Sequence, residues 1–440
     1  MKTPYPDGAF NAHWFNFFNA ISFQVMMGAP IILYAKSLNA SSTVIGIIAA
    51  FAPLMVVFQL PAARFLDRFG YREFVLMGWS ARTVLIFLVA VLPLIFFFDQ
   101  QTKMAVLLAT LFVFNLLRGI STAAWMPWIA ALIPESIRGI FLSREQIFVH
   151  LGCLLSLGLS SILLAGSVDD WEYSLVFLVS AIAATISLTF IRRIPEVASQ
   201  EVTRRSSTPV PWRAIIGYRP FRRLLIFNVM FLAVTGGLGV FTIEFLRDTV
   251  GLDASTILLL SGFSLIGALA ALPFCGGIVD RSGSRPIMRV ALWLYWLVIA
   301  GWTLTAGRVL PGTFPTIAIL NLVLGIASAG FNLGNLRTIM ATMPEMGRNH
   351  FFALFSVITS FGLGGAPIIW GMTLDIIGSF EVVTGAFVWQ RHSIYFSVLL
   401  VFSAILLVFI SRLVETSPDE APAPTLVFGN LKRSMRHWFR

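Results

Sequence analysis

Asp67-Arg68-Phe69-Gly70-Tyr71-Arg72 is repeated 213 residues later as Asp280-Arg281-Ser282-Gly283-Ser284-Arg285. Each copy lies in a short basic gap between two long apolar runs. The segments 42–72 and 255–285 align without a gap, and four of the six identities among their 31 positions fall in the motif. A membrane hairpin repeated with its connecting turn predicts a chain of two repeated halves, which is typical of secondary transporters.

The composition favours a membrane protein. The chain is 57% hydrophobic and only 12% charged, whereas soluble domains carry roughly 25% charged residues. Its two cysteines, Cys153 and Cys275, both lie in apolar runs. This pattern predicts no disulfide framework and no metal site, and we expect no cofactor.

Twelve apolar runs are long enough to cross a bilayer, which takes about 20 residues in a helix. They lie near residues 14–35, 44–63, 74–98, 104–132, 147–168, 173–191, 221–245, 255–279, 287–307, 314–342, 352–374 and 394–412. Backbone groups in lipid must be satisfied within the segment, and barrel strands would be shorter and alternating. The sequence therefore predicts an all-α polytopic membrane protein with two six-helix halves.

The basic residues predict the orientation. Of the 31 lysines and arginines, 23 lie on the side of the two termini, 5 on the opposite side and 3 within spans. This bias places both termini in the cytoplasm, and we expect an integral protein of the plasma (inner) membrane. The basic residues are dispersed among short loops, which disfavours a nucleic-acid partner.

The composition also divides the chain. We predict an N-terminal half at 1–192, a cytoplasmic linker at 193–220, a C-terminal half at 221–414 and a basic tail at 415–440. Eight arginines and four prolines fall between Arg192 and Arg223, a composition typical of a linker. The tail is either a helix on the anionic inner leaflet or a disordered basic segment.

Over about residues 12–415 the chain resembles the major facilitator superfamily. The turn after the second helix in that family reads Gly-x-Leu-Ala-Asp-Arg-x-Gly-Arg-Arg. The first copy here, 63–72, lacks the leading glycine and one arginine, while the second begins at Gly276 and keeps Asp280, Arg281, Gly283 and Arg285. The resemblance implies twelve helices and alternating access by rocking of the two halves, and it supplies no solute.

The repeated turn is a candidate gate. An aspartate at a helix end beside an arginine can pair with an opposing helix, and a turn glycine permits a positive φ. Such a clamp would hold one side shut in one state and break in the other; alternatively, the charges only fix the topology. The candidate gating residues are Asp67, Arg68, Gly70, Arg72, Asp280, Arg281, Gly283 and Arg285.

Polar residues form stripes on four of the apolar helices. In the fourth span they recur at positions i, i+3, i+7 and i+10, which share one helical face. We expect these stripes to face a central cavity, as the family resemblance also implies; the alternative is hydrogen bonding between helices. The candidate cavity residues are Asn16, Asn19, Asn115, Arg118, Thr122, Trp125, Asn228, Thr235, Asn321, Ser328, Asn332 and Asn335.

Arg118 is the strongest substrate-binding candidate. It lies near the middle of its span, where an arginine is costly unless it is paired or hydrated, and its repeat partner is Leu324. Because the sequence places no acid at mid-span, the counter-ion of Arg118 could come from an anionic or polar solute. The alternative is a bond to helix carbonyls or to Asn115. Arg82 is expected to snorkel toward the cytoplasmic surface.

These features predict a secondary active or facilitative carrier of a small organic solute, and we expect a monomer. An exporter of hydrophobic compounds is the alternative. A channel would need a selectivity element, and an enzyme would need a catalytic constellation; the sequence indicates neither. It also contains no phosphate-binding Gly-x-x-x-x-Gly-Lys-Ser/Thr motif, so ATP is not expected to drive transport directly.

Overall fold

The computed structural model describes residues 6–166, 169–197, 217–342 and 348–413. Within these ranges it has twelve helices that are long and apolar enough to cross a membrane, so the predicted fold class is confirmed. They are α1 Asn11–Ser37, α2 Ser42–Phe65, α3 Tyr71–Leu94, α4 Gln100–Leu132, α5 Phe141–Leu163, α6 Asp170–Ile191, α7 Arg219–Asp248, α8 Ala254–Cys275, α9 Ser284–Ala306, α10 Phe314–Met340, α11 Leu354–Ile377 and α12 Arg391–Arg412.

Four helices extend beyond these apolar spans. The helix of α5 begins at Glu135, that of α8 runs to Ser282, that of α10 to Thr342, and that of α11 begins at Arg348. The predicted linker lies largely in 198–216 and the predicted tail in 414–440, both outside the described residues.

Side chains cap several helix starts on the face opposite the N-terminus. The Ser41 hydroxyl accepts a hydrogen bond from the backbone N–H of Val44 at 3.4 Å. The Asp99 carboxylate accepts one from the backbone N–H of Thr102 at 3.2 Å. Each bond satisfies a donor that has no partner in the first turn. We call this side of the molecule the far face, and the side of the N-terminus the terminal face.

Three of the four helices that carry the polar stripes are interrupted. The α1 helix divides at Gly28, followed by Pro30, and α7 divides between Thr235 and Leu238, at two glycines. The α4 helix ends its first part at Ser121 and resumes at Trp125. The predicted continuous face through i+10 on α4 is therefore wrong, because a turn separates the last of its residues from the rest.

The two halves repeat the same packing. In the N-terminal half α1 packs against α5 and α6, α3 against α4 and α6, and α2 against α4. In the C-terminal half α7 packs against α11 and α12, α9 against α10 and α12, and α8 against α10. The helix pairs correspond one to one under a shift of six helices, as expected for parallel repeats.

The halves meet through two crossed pairs, α2 with α11 and α5 with α8. Small residues bring α2 and α11 together: a Cβ on Gly46 would lie 2.8 Å from the carbonyl carbon of Pro367, and one on Gly371 would lie 2.8 Å from that of Ser42. The glycine-proline segment of α11 is thus part of the closely packed interface between the halves.

A short β-hairpin between α11 and α12 adds to the helical fold. Strands β1 Glu381–Thr384 and β2 Phe387–Gln390 pair antiparallel. The Arg308 side chain pairs with Glu381 at 2.9 Å, and the backbone N–H of Val388 donates to the carbonyl of Gly307 at 2.9 Å. These contacts attach the hairpin to the loop after α9.

Candidate functional site

A buried acid links the polar residues of α1 and α4. The Glu145 side chain of α5 is 8% exposed. Its Oε1 accepts a hydrogen bond from Nδ2 of Asn16 at 2.8 Å and one from Nε1 of Trp125 at 3.3 Å. Its Oε2 is buried without a hydrogen-bond partner. The sequence analysis did not select Glu145, because no local pattern shows that it joins two predicted cavity residues.

Two further predicted residues bind side chains that sequence reasoning did not select. The Trp79 indole of α3 donates to Oδ1 of Asn19 at 3.0 Å. Nε2 of Gln59, on α2, donates to the Thr122 hydroxyl at 2.7 Å. The N-terminal half therefore has a polar wall built from α1 to α5, held by hydrogen bonds between helices.

Arg118 is held weakly by the protein. Its guanidinium carbon lies 4.8 Å from the centre of the Phe23 ring on α1. Its Nη1 donates to the carbonyl of Ala52 on α2 at 3.4 Å, which is longer than the usual range for such a bond. The described ion pairs do not include Arg118. Asn115, on the preceding turn, donates instead to the carbonyl of Leu111 at 2.9 Å.

The expectation that Arg82 snorkels to the surface is wrong. The residue is only 3% exposed. Its guanidinium carbon lies 4.7 Å from the ring centres of both Trp79 and Phe114. Aromatic faces from α3 and α4 enclose the side chain inside the N-terminal half, and this packing outweighs the preference for the interface.

The predicted residues of the C-terminal half contact one another. Asn228 of α7 and Asn335 of α10 exchange two side-chain hydrogen bonds, of 3.1 and 2.7 Å. Asn332 donates to the Ser328 hydroxyl at 3.3 Å. This pattern matches the alternative reading of the stripes for Asn228 and Asn335, in which amides bond neighbouring helices.

The remaining polar residues of these stripes bond their own helices. Nδ2 of Asn321 donates to the carbonyl of Ile317 at 3.2 Å, and the Thr235 hydroxyl donates to that of Phe231 at 2.9 Å. Among the described residues no hydrogen bond joins the α1 and α4 set to the α7 and α10 set. The two sets lie in separate halves.

The repeated turns have equivalent backbone geometry. The φ angle is 75° at Gly70 and 79° at Gly283, in the left-handed region that favours glycine. At the first turn Glu196, from the segment after α6, accepts hydrogen bonds from the backbone N–H groups of Tyr71 and Arg72 at 3.1 Å each and pairs with the Arg72 side chain at 3.6 Å. The carboxylate therefore caps the start of α3 from within the same half.

The side chains of Asp67, Asp280 and Arg281 lie outside the described part of the structure. Arg68 is exposed, with its guanidinium carbon 5.6 Å from the centre of the Phe69 ring. Arg285 interacts with neighbouring groups. The clamp between halves stays a prediction.

Charged residues join the two halves on the far face. Lys36 of α1 pairs with Asp248 of α7 at 2.6 Å and lies 3.6 Å from Glu244. The Ser42 hydroxyl donates to Glu244 at 2.6 Å. Asp375 of α11 accepts from the backbone N–H of Ser42 at 2.9 Å and from that of Thr43 at 2.8 Å, so it caps α2 from the other half.

The second pair of helices meets on the same face. The hydroxyl groups of Ser161 on α5 and Ser255 on α8 lie 2.8 Å apart. The far face is thus closed across both crossed helix pairs. The sequence analysis did not select Glu244 or Asp375, because the partner that they share, Ser42, lies on a helix of the other half.

A comparison with known protein families finds a match that covers nearly the whole chain. The sequence profile described as Major Facilitator Superfamily matches residues 13–258 and again residues 225–438. A comparison with curated proteins finds no match.

Solved structures of transporters have the same fold. A mutant of the nucleoside transporter NupG has a TM-score of 0.72 at 13% identity, covering 93% of this chain and 100% of that one. A D-xylose-proton symporter has a TM-score of 0.69 at 14% identity, covering 93% and 96%. The xylose transporter XylE from E. coli, in an inward-open conformation, has a TM-score of 0.65 at 14% identity, covering 94% and 96%. At these identities the likeness establishes the fold alone.

Proposed function

The chain belongs to the major facilitator superfamily, and we propose that this transporter carries a small organic solute whose anionic or polar group binds Arg118. The carrier is secondary active or facilitative, and it exposes the site alternately to the two sides of the membrane. We further propose that it resides in the plasma (inner) membrane with both termini in the cytoplasm, as the distribution of lysine and arginine favours.

The weak coordination of Arg118 carries the proposal. A guanidinium inside a bundle is retained only if it is paired, hydrated or functional, because its transfer from water costs several kcal/mol. A ring contact at this half-buried position contributes roughly 1–2 kcal/mol, and a long bond to a carbonyl adds little. The protein therefore does not fully compensate for the desolvation of the Arg118 charge. A carboxylate or phosphate on the solute can provide the remaining stabilisation through a bidentate hydrogen bond.

The closed far face supports alternating access. Lys36, Ser42 and Ser161 of the N-terminal half bond residues of the C-terminal half there. With the termini placed in the cytoplasm as proposed, the far face is extracellular and this conformation is closed on the extracellular side. Outward opening would break these contacts, and closure of the cytoplasmic side around the repeated turns would replace them.

Ligand-induced stabilisation of purified protein tests the proposal. The probes are carboxylates, phosphates, sugars, nucleosides and lipophilic cations, because a ligand that binds only the folded state raises its melting temperature. We expect anionic probes to stabilise the wild type. Arg118→Lys should weaken the effect because an ammonium lacks the planar fork, and Arg118→Leu, the residue found in the other half, should abolish it.

Arg308→Leu is the matched control for loss of a positive charge, since Arg308 lies on the far face and its side chain is 57% exposed. It should respond as the wild type does. Equal stabilisation of the Arg118→Leu variant and the wild type by the same anion would contradict the proposal. Stabilisation by lipophilic cations alone would favour an exporter of hydrophobic compounds.

A further inference from the structure

A second arginine, which is fully buried, lies near the half-buried Arg118. Arg82 of α3 is 3% exposed and is enclosed by the rings of Trp79 and Phe114. Phe114 belongs to α4, one turn before Arg118. Arg118 contacts Phe23 on α1, and the Trp79 ring that covers Arg82 donates to Asn19, one turn before Phe23. The two guanidinium groups therefore lie at adjacent turns of the same two helices, α1 and α4. Two like charges thus occupy one region of low dielectric, where their repulsion is weakly screened.

Arg82 has no charge partner among the described residues. The described ion pairs do not include it, and its Nε is buried without a hydrogen-bond partner. The two aromatic contacts offset only part of the desolvation of the charge, because they leave the guanidinium donors without the acceptor oxygens that a buried cation needs. Each arginine therefore lacks acceptors for its donors. Because the two groups have the same charge, their proximity raises the free energy of keeping both of them charged inside the protein.

Glu145, in the polar wall of the N-terminal half, does not neutralise the charges of Arg82 and Arg118. Oε1 of Glu145 is engaged by Asn16 and Trp125, and the described ion pairs join Glu145 to neither arginine. A ligand that brings its own negative charges can satisfy both guanidinium groups. A ligand with one charge would leave one of them unpaired.

We propose that Arg82 and Arg118 together form a two-arginine anion site and that the solute carries two negative charges. The inference rests on the proposed contact between Arg118 and the solute, and it adds the charge of the solute and a second binding residue. A dicarboxylate and a phosphate monoester share this chemistry, since each presents several oxygen acceptors to paired guanidinium forks.

A charge series on the unmodified protein tests the inference first. Succinate, succinamate and succinamide have nearly the same shape and carry two, one and no negative charges. A second arm compares glycerol 3-phosphate with glycerol. Melting temperatures are measured in chloride-free buffer, because chloride would compete for the arginines. We expect one of the two dianions to stabilise the protein at concentrations roughly tenfold lower than a ligand with one charge, since a hydrogen bond to a charged group contributes about 1.5–3 kcal/mol.

Variants then separate this inference from the proposed function. Arg82→Gln should bind succinate no better than succinamate, whereas Arg118→Leu should bind neither, and Arg308→Gln should behave as the wild type. If Arg82→Gln fails to fold, Arg82→Lys keeps the charge and should weaken the preference for the dianion without reversing it. The arm that responds identifies a dicarboxylate or a phosphate monoester.

Several results would overturn the inference. They are equal stabilisation by ligands of one and two charges, stabilisation by neither dianion, and an Arg82→Gln variant that keeps the preference for two charges. In the last case, loss of binding in Arg118→Leu would leave the proposed function standing. Retained binding in Arg118→Leu would refute the proposed function itself.

Discussion

Replacement of Gly46 by alanine should shift the protein away from the closed far face. A Cβ at this position would lie 2.8 Å from the carbonyl carbon of Pro367 on α11. Ordinary van der Waals contact begins at 3.4 Å, so the helices α2 and α11 must separate locally by at least about 0.6 Å. The obstacle is backbone, which cannot rotate aside as a side chain can.

The expected magnitude follows from the cost of overpacking, about 1–3 kcal/mol for an added group in a tight interface. The added methyl group costs nothing in a state in which α2 and α11 have separated on this face. The ratio of open to closed protein should therefore rise roughly 5- to 140-fold, because every 1.4 kcal/mol corresponds to a factor of ten.

Cysteine labelling at a distant point of the same face measures this shift. Ser161, in the interface of α5 with α8, is 3% exposed. In a Cys153→Ser/Cys275→Ser background, Ser161→Cys should react with a bulky maleimide only when the far face opens. While the open state is the minor one, the labelling rate is proportional to its population, so Gly46→Ala should accelerate labelling by the same factor.

Gly365→Ala is the matched control, since it adds the same methyl group to α11 at a point with no atom within 4 Å. It should label at the wild-type rate. An unchanged rate in Gly46→Ala, or an equal acceleration in Gly365→Ala, would refute the argument that this contact holds the far face shut.

Two further predictions concern the gate and the polar stripes. Asp67→Asn and Asp280→Asn should each leave a folded protein whose transport rate falls about tenfold, since one charge-assisted hydrogen bond contributes about 1.5 kcal/mol; wild-type rates in proteoliposomes for both would mean that the charges serve topology only. Asn228→Leu and Asn335→Leu, combined in a double-mutant cycle of unfolding in detergent, should show a coupling free energy of about 0.6 kcal/mol and at most about 1.7. A coupling of zero would argue that these amides face the cavity rather than each other.

The fold was predictable because it depends on properties that can be counted along the chain. Apolar length fixes the spans, and the duplicated turn from Asp67 to Arg72 fixes the division into halves. The hairpin at 381–390 was missed although β-branched and aromatic residues on either side of Gly385 carry a strand signal. A search limited to apolar runs does not detect so short an element.

The site was only partly predictable because its chemistry depends on contacts between helices. Arg118 could be selected from its depth in a span. The environment of Arg82 could not, because one of its two aromatic neighbours, Phe114, lies on another helix. Glu145 gains its role from Asn16, 129 residues away in the sequence, and no local pattern reveals that pair.

Solute counterflow tests the central claim most directly. Proteoliposomes containing the wild type are loaded with the unlabelled anion that stabilises it best, and the labelled anion is added outside. We expect a transient accumulation of label above equilibrium by the wild type and by Arg308→Leu, and none by Arg118→Leu. Accumulation by Arg118→Leu at the wild-type rate, or a flux through the wild type that neither saturates nor shows counterflow, would contradict a carrier that binds its solute through Arg118.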